Sequence, residues 1–335
     1  MKAQWPILVL LSSPLLAQNR IGDIEFFGYK GNDFDAVRKA LPVKADDQIG
    51  PQTQQQIRDA VKLVTGHEAT DINLVCCDEQ GRTLVYVGLA GQSSRTFALN
   101  PAPTEKIQVS PVLAALSQKM DDAMFAAVRS GNAAEEQPSP GYMLPKEPHS
   151  REATLAVREY ALQHEDELYH VLESSSDGHQ RAIAADALGF ANRSPRQIAA
   201  LVHAGRDPDN DVRNEATRAL LEIAQAGPAV ASQIPVDTFI EMLWSGFWTD
   251  RNKASGLFWV LTASRDPKLL ERLRTDAFDP LVEIARWDTD HAIAARVILG
   301  RIAGIPDSDL FKFAVQDPSK IPGISAAPAT SKPQP

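Results

Sequence analysis

Cysteine is almost absent from this chain of 335 residues: there are two, Cys76 and Cys77, and they are adjacent. That excludes a disulfide framework, the device that stabilises secreted domains too small to build a core. Neighbouring strand residues point to opposite faces, so the pair is expected as two small apolar residues of a strand; a vicinal disulfide would need a turn there instead. Basic charge is not concentrated anywhere. Lys and Arg total 34 against 43 Asp and Glu, a formal net charge of −9, so nucleic acid is not an expected partner. Beyond the first residues no apolar run approaches the ~20 residues that span a bilayer. Reaction motifs are missing as well: there is no G-x-S-x-G, G-x-x-x-x-G-K, H-E-x-x-H or C-x-x-C. The densest histidines, His164 and His170, flank Glu165 and Glu167, but this spacing does not place two imidazoles on one helical face as i and i+4 would. Asp288, Asp290 and His291 fall where turn and cap residues belong. The sequence therefore assigns no catalytic residue, no metal ligand and no cofactor, and the expectation is a protein that is not an enzyme.

What is present begins with MKAQWPILVLLSSPLLAQN, a Lys near the start, an apolar run from Trp5 to Leu16 and a small residue at Ala17. This reads as a signal peptide over residues 1–17, which implies a periplasmic or secreted product.

Residues 20–91 form one pattern. Ile24 and Phe26 alternate with Glu25 and Phe27, a strand signal. Two helical stretches follow. DFDAVRKAL is capped by Asn32 or Asp33, and TQQQIRDAVKLVTG opens on a capping box of Thr53 with Gln56 and stops at Gly66. DINLVCCD and RTLVYVGL then read as a hairpin around DEQG. The order is strand, helix, helix, strand, strand. With Ile21, Ile24, Phe26 and Gly28 in the opening, Leu41 closing the first helix and Gly66 after the second, this α+β segment resembles a POTRA domain, the module found before outer-membrane barrel assembly proteins and secretion channels. The Gly usual after the first helix is replaced by Asp46 and Asp47. The resemblance implies that the strand after the helices, Asp71 to Asp78, is an exposed edge able to accept an extended peptide. Asn73, Val75 and Cys77 would then set preference. No barrel follows, so a barrel-assembly role is not implied.

Residues 92–109 look like a connector, and 110–131 like an amphipathic helix opened by Ser110 and Pro111. Its stripe of Leu113, Leu116, Met120, Met124 and Val128 must cover something, either one of the two domains or a second copy of the chain. The Pro-rich stretch 132–149 reads as a linker, 150–314 as a helical repeat domain and 315–335 as a disordered tail.

Within 150–314 a helix opening recurs at Asp177, Asp209, Thr249 and Asp288. One column holds Ala184, Ala216, Gly256 and Ala295, and a later one holds Leu188, Leu220, Val260 and Leu299. Ser194–Pro195, Asp266–Pro267 and Asp279–Pro280 look like helix starts. Such a period means an all-α solenoid of paired helices. The segment D-P-D-N-D-V-R-x-x-A-x-x-A-L around Arg213 resembles a HEAT repeat. That resemblance implies that Arg181 and Arg213 pair with an Asp of an adjoining turn, and that the second helices line a concave face where Arg218, Glu222 and Arg301 are exposed. Phe239, Leu243, Trp244 and Phe247 follow a core spacing; Trp248 lies off it and, with Trp259 and Trp287, is a candidate partner surface.

The expected function is a scaffold that binds a protein or peptide partner in the cell envelope. The alternatives are an enzyme accessory of the lyase-like HEAT-repeat kind and a chaperone for secreted or outer-membrane clients.

Overall fold

The computed structural model describes residues 20–130, 136–139 and 142–321. The expected signal peptide and the tail beyond Ile321 lie outside them. The N-terminal module runs β1 (Ile21–Phe27), α1 (Phe34–Ala40), α2 (Thr53–Thr65), β2 (Asp71–Cys76) and β3 (Thr83–Gly88). The sheet order is β1-β3-β2, with β3 parallel to β1 and antiparallel to β2. Asp33 caps α1 by accepting from the Ala36 N–H at 3.0 Å. Gly66 ends α2 in the left-handed region at φ 74°, a conformation that costs a residue with a Cβ. The expected capping box does not form. Thr53 is the first helical residue rather than the cap, and its hydroxyl accepts from the Gly50 N–H at 2.9 Å.

Every residue of β3 is buried, because both of its faces are covered. Val85 and Val87 join Ile24, Phe26, Val37, Ile57, Val61 and Ile72 beneath the two helices. Leu84, Tyr86 and Phe27 belong instead to the core of the helical body. The period of two along β1 and β3 thus serves two cores at once. The chain leaves β2 at Cys76, and a disulfide joins Cys76 to Cys77 across a cis peptide. The reading of the pair as two unlinked strand residues is corrected accordingly.

The rest is helical. After α3 (Pro111–Arg129) come the short strands β4 (Glu136–Ser139) and β5 (Tyr142–Pro145), which pair antiparallel. Then follow α4 (Pro148–Gln163), α5 (Glu165–Ser174), α6 (Gly178–Gly189), α7 (Pro195–Ala204) and α8 (Asn210–Ala224). The chain continues with α9 (Pro228–Ala231), α10 (Asp237–Leu243), α11 (Trp248–Leu261), α12 (Pro267–Asp276), α13 (Phe278–Ala285), α14 (Ile293–Ile302) and α15 (Asp307–Gln316). The stretch expected as a linker therefore holds both of these strands and the start of α4, and Leu144 is buried. The ordered chain also runs past 315: α15 ends at Gln316, and Ile321 is fully buried.

α6, α8, α11 and α14 lie side by side, backed respectively by α5, α7, α10 and α13. Ala184, Ala216, Ala254 and Ala295 are fully buried along that row. Close helix approach needs side chains this small at the contact. The third member is Ala254, with Phe258 filling the layer, rather than Gly256 and Val260. The cap position of α11 is Phe247, two residues before the opening expected at Thr249, and Asp250 falls in the first turn; the repeat moves by those two positions. Asp279 likewise lies inside α13 rather than capping it. α3 packs on α4, burying Leu113, Met120 and Ala127, while Val128 is exposed; the observed stripe passes through Ala127.

The connector is not a free tether. The Arg95 N–H donates to the Trp244 carbonyl at 2.7 Å, Asn100 N–H to Arg206 at 2.7 Å, and Glu105 N–H to Ser174 at 3.0 Å. These are successive five-residue steps along the connector, meeting the turns before α11, α8 and α6 in reverse chain order. The Ser176 N–H returns a bond to the Glu105 carbonyl at 2.7 Å, and the Ser175 hydroxyl donates to the Ile107 carbonyl at 2.7 Å. Each such bond contributes about 1 kcal/mol net, so this strand-like strap fixes three helix pairs relative to one another.

Candidate functional site

Burial decides which of the chain's unusual side chains are free to act, and most of them meet at the junction of the module with the helical body. Trp287 is 1% exposed, and its indole N–H donates to the Phe26 carbonyl at 3.0 Å. Tyr86 stacks on Trp248 at 4.8 Å between centroids and tilts against Trp287 at 5.0 Å. The Tyr86 hydroxyl lies 2.9 Å from the Thr289 hydroxyl and 2.7 Å from His291 Nδ1. The Trp248 N–H donates to the Asp71 carboxylate at 2.9 Å. Trp248 and Trp287 are therefore not a partner surface: both are spent joining the two parts of the chain. Aromatic pairs of this kind add ~0.5–1.5 kcal/mol each beyond the area they bury.

Beside this cluster lies a cradle around Glu283. Its carboxylate accepts from the Gly28 N–H at 2.8 Å, the Lys30 N–H at 3.2 Å, Arg251 at 3.2 Å and the Ser93 hydroxyl. Gly28 sits at φ 70°, and a Cβ there would come within 2.5 Å of the Leu89 carbonyl oxygen, so the turn that aims its N–H at Glu283 requires glycine. Arg251 is fully buried, and burial lowers its pKa to about 10; it stays charged at neutral pH.

Arg251 is the last of three buried arginines in register. Arg181 donates to the Ser175 carbonyl at 2.8 Å, Arg213 to Asp207 at 2.9 Å and Arg251 to Ser245 at 2.7 Å, in each case six residues back. Each also reaches a carboxylate of the next unit. Arg181 grips Asp207 at 2.8 and 2.6 Å, and Arg213 grips Asp250 at 2.9 and 3.0 Å. The expected structural pairing of Arg181 and Arg213 is what the structure contains. The carboxylate comes from a different place each time, namely the turn before α8, the first turn of α11 and then α13. Sequence spacing could not reveal Glu283 for that reason.

Of the other residues singled out, Glu222 is 5% exposed and paired with Arg218 at 3.2 Å, so it is not an open contact residue. Arg301 donates to the Trp259 carbonyl and, at 2.9 Å, to the Thr262 hydroxyl. Phe239, Leu243 and Trp244 are buried as expected, whereas Phe247 is 41% exposed. Asn73 and Val75 lie on β2, which is an edge of the sheet, and Cys77 follows it. Across α8, α11 and α14 runs a groove of about 570 Å³ lined by Leu221, Asn252, Gly256, Trp259, His291 and Arg301. Trp259 is 38% exposed there. No group of His, Cys, Asp and Glu among the described residues could hold a metal ion, and no helix among them is long and apolar enough to cross a membrane. No family model, curated protein or solved structure matches this chain.

The junction makes stability depend on pH. Burial raises the Glu25 carboxyl from 4.5 to about 7, against the lowering effect of the Asp288 N–H that it accepts. Between those values the folded chain holds a proton that the unfolded chain has released, so stability falls as pH rises through that window. Burial, with Lys253 alongside, lowers His291 from 6.5 to about 4. There the unfolded chain takes the proton first, so acidification through that window also weakens the fold. Of the two, Glu25 alone acts just above pH 6.5. Glu25→Gln is expected to remove on the order of 2–3 kcal/mol of the stability loss between pH 5 and 8. Urea midpoints of variant and parent across that range measure it, and parallel pH profiles would contradict it.

Proposed function

We propose that this chain is an exported scaffold of the cell envelope, which binds a protein or peptide partner without transforming it. Its N-terminal part acts as a POTRA-like module and its helical body as a HEAT-like solenoid. The observation that carries the reading is the junction itself. Glu283, Trp248, Trp287 and Tyr86 hold the module and the helices in one frame, so the β2 edge and the groove under Trp259 are presented together. Titratable and aromatic residues that would suit a reaction centre are instead consumed in packing. An edge strand offers main-chain hydrogen bonds to an extended segment, and a half-exposed Trp beside a groove is the kind of residue that dominates contact energy.

The test uses the full chain as bait in envelope extracts with chemical crosslinking, comparing the parent with Trp259→Ala and Asn73→Lys. A discrete partner whose recovery falls about tenfold or more in one of the two variants, about 1.4 kcal/mol or more, supports the proposal. A disordered pool of unfolded clients indifferent to both changes would favour the chaperone reading, and turnover of a small molecule with no protein partner would retire the scaffold.

A further inference from the structure

A second cavity, of about 410 Å³, opens where module, strap and helices meet. Its size falls in the ~300–1,000 Å³ range of small-molecule sites, which favour the boundary between structural units. Thr70 and Ala90 from the module, Ser94 to Phe97 and Leu99 from the strap, and Ser245 to Phe247 from the turn before α11 line it, together with Arg213. Phe97, Leu99 and Phe247 form apolar walls. Leu99 is 44% and Phe247 41% exposed, so the folded chain leaves a concentrated apolar lining open to solvent. The guanidinium of Arg213 lies 5.8 Å from the Phe97 ring and 5.4 Å from the Phe247 ring, but it is paired with Asp250.

Two polar groups at this cavity are not consumed by the fold. The hydroxyl of Thr70 is buried without a hydrogen-bond partner, and buried hydroxyls are ordinarily satisfied. Arg95 holds its guanidinium carbon over the Trp244 ring, 3.5 Å from the centroid, a contact that uses the face of the group and none of its N–H donors, and no carboxylate among the described residues pairs with it. The lining holds two arginines and no acid, in a chain whose net charge is −9. Elsewhere the grooves carry an aspartate: Asp290 in the groove under Trp259, and Asp266 in the cavity between α9 and α12.

The geometry points to a binding site here for a small amphipathic anion, with a flat or branched apolar body seated against Phe97, Leu99 and Phe247. Its carboxylate or sulfonate meets Arg95, and the Thr70 hydroxyl supplies a further hydrogen bond. This site is separate from the protein-binding surfaces proposed above and does not depend on them.

The probe is 1-anilinonaphthalene-8-sulfonate, an aromatic anion, titrated by fluorescence into the full chain. N-phenyl-1-naphthylamine, with the same rings and no charge, is the comparator. One sulfonate probe is expected per chain. Arg95→Gln should weaken the anion by about tenfold, the loss of one charge-assisted contact, and shift the neutral probe by less than about twofold. Phe247→Ala removes a wall and should weaken both probes by roughly fivefold or more. Both residues are exposed, so unfolding should stay cooperative, with a stability loss of about 1 kcal/mol or less from the ring contacts removed. Trp259→Ala, in the other groove, should leave both probes unaffected. The inference is overturned if Trp259→Ala abolishes binding, if Arg95→Gln leaves the anion unchanged, or if it weakens both probes equally.

Discussion

Glu283→Ala is expected to cost about 3–5 kcal/mol, the range for breaking a buried charge pair by removing one partner, and to loosen the module from the helices. Two main-chain N–H groups, a hydroxyl and a fully buried guanidinium all point at that one carboxylate. Without it, Arg251 keeps its bonds to the Ser245 and Ser93 carbonyls but loses its counter-charge, and the Gly28 N–H loses its acceptor while Lys30 keeps only its bond to the Ser93 hydroxyl at 3.0 Å. The neighbouring pair of Lys30 with Asp279 is a control: it is exposed, at 52% and 43% for the two side chains, and Asp279→Ala should change stability by less than about 1 kcal/mol. Urea unfolding gives the magnitude. Hydrogen exchange gives the location, because the amides of β1 and β3 should lose protection ahead of those of α6 and α8. If protection falls uniformly, or if Glu283→Ala costs no more than Asp279→Ala, the cradle does not join the two parts.

Much of this architecture was legible in the residues, and the failures have a common cause. Period-two alternation placed Ile24 and Phe26 opposite Glu25 and Phe27, and the structure puts those two faces in different surroundings. The order of strands and helices in the module emerged from local signals: caps, glycine stops and hydrophobic period. The column of small residues emerged from repetition. Partners distant in sequence did not. Trp248 looked available because it lies off the stripe of Phe239, Leu243, Trp244 and Phe247, but the surface it meets, Tyr86, is contributed by a strand that no local pattern places there. Glu222 looked exposed for the same reason. The sequence of residues 92–109 reads only as a connector because its composition has no period, whereas its order comes from main-chain groups meeting turn carbonyls, and main-chain groups carry no sequence signature. In hindsight the five-residue spacing of Arg95, Asn100 and Glu105 gains meaning only once the three turns are stacked. Candidate binding residues fared worst, since exposure is a property of the assembled surface. Arg95 and Phe97 had no distinguishing pattern, and the core spacing of Phe247 pointed to burial, whereas it is 41% exposed.

The same reasoning makes the middle rung of the arginine ladder the most sensitive point of the helical body. Arg213 is 1% exposed and Asp250 fully buried. The pair is bidentate, and Asp250 also accepts from the Ser245 hydroxyl at 2.6 Å. Removing water from two charges costs several kcal/mol each, and their attraction plus these bonds offsets that only while both are present. Arg213→Ala should therefore destabilise by about 3–5 kcal/mol, leaving Asp250 charged in an interior with one neutral donor, and Asp250→Ala should do the same to the guanidinium. Replacing both at once, as Arg213→Met with Asp250→Leu, should recover most of the loss, because two well-packed apolar side chains leave no orphaned charge. The double-mutant cycle then yields a coupling energy well above that of an exposed pair. Arg206 with Glu241 provides the comparison: it is also bidentate, at 2.9 Å for both bonds, but 24% and 44% exposed. Glu241→Ala is expected to cost no more than about 1 kcal/mol. If Arg213→Ala costs as little as Glu241→Ala, or if the double replacement is as damaging as the two single changes added together, the ladder contributes packing alone and the strap of residues 95–105 is what fixes the helix pairs.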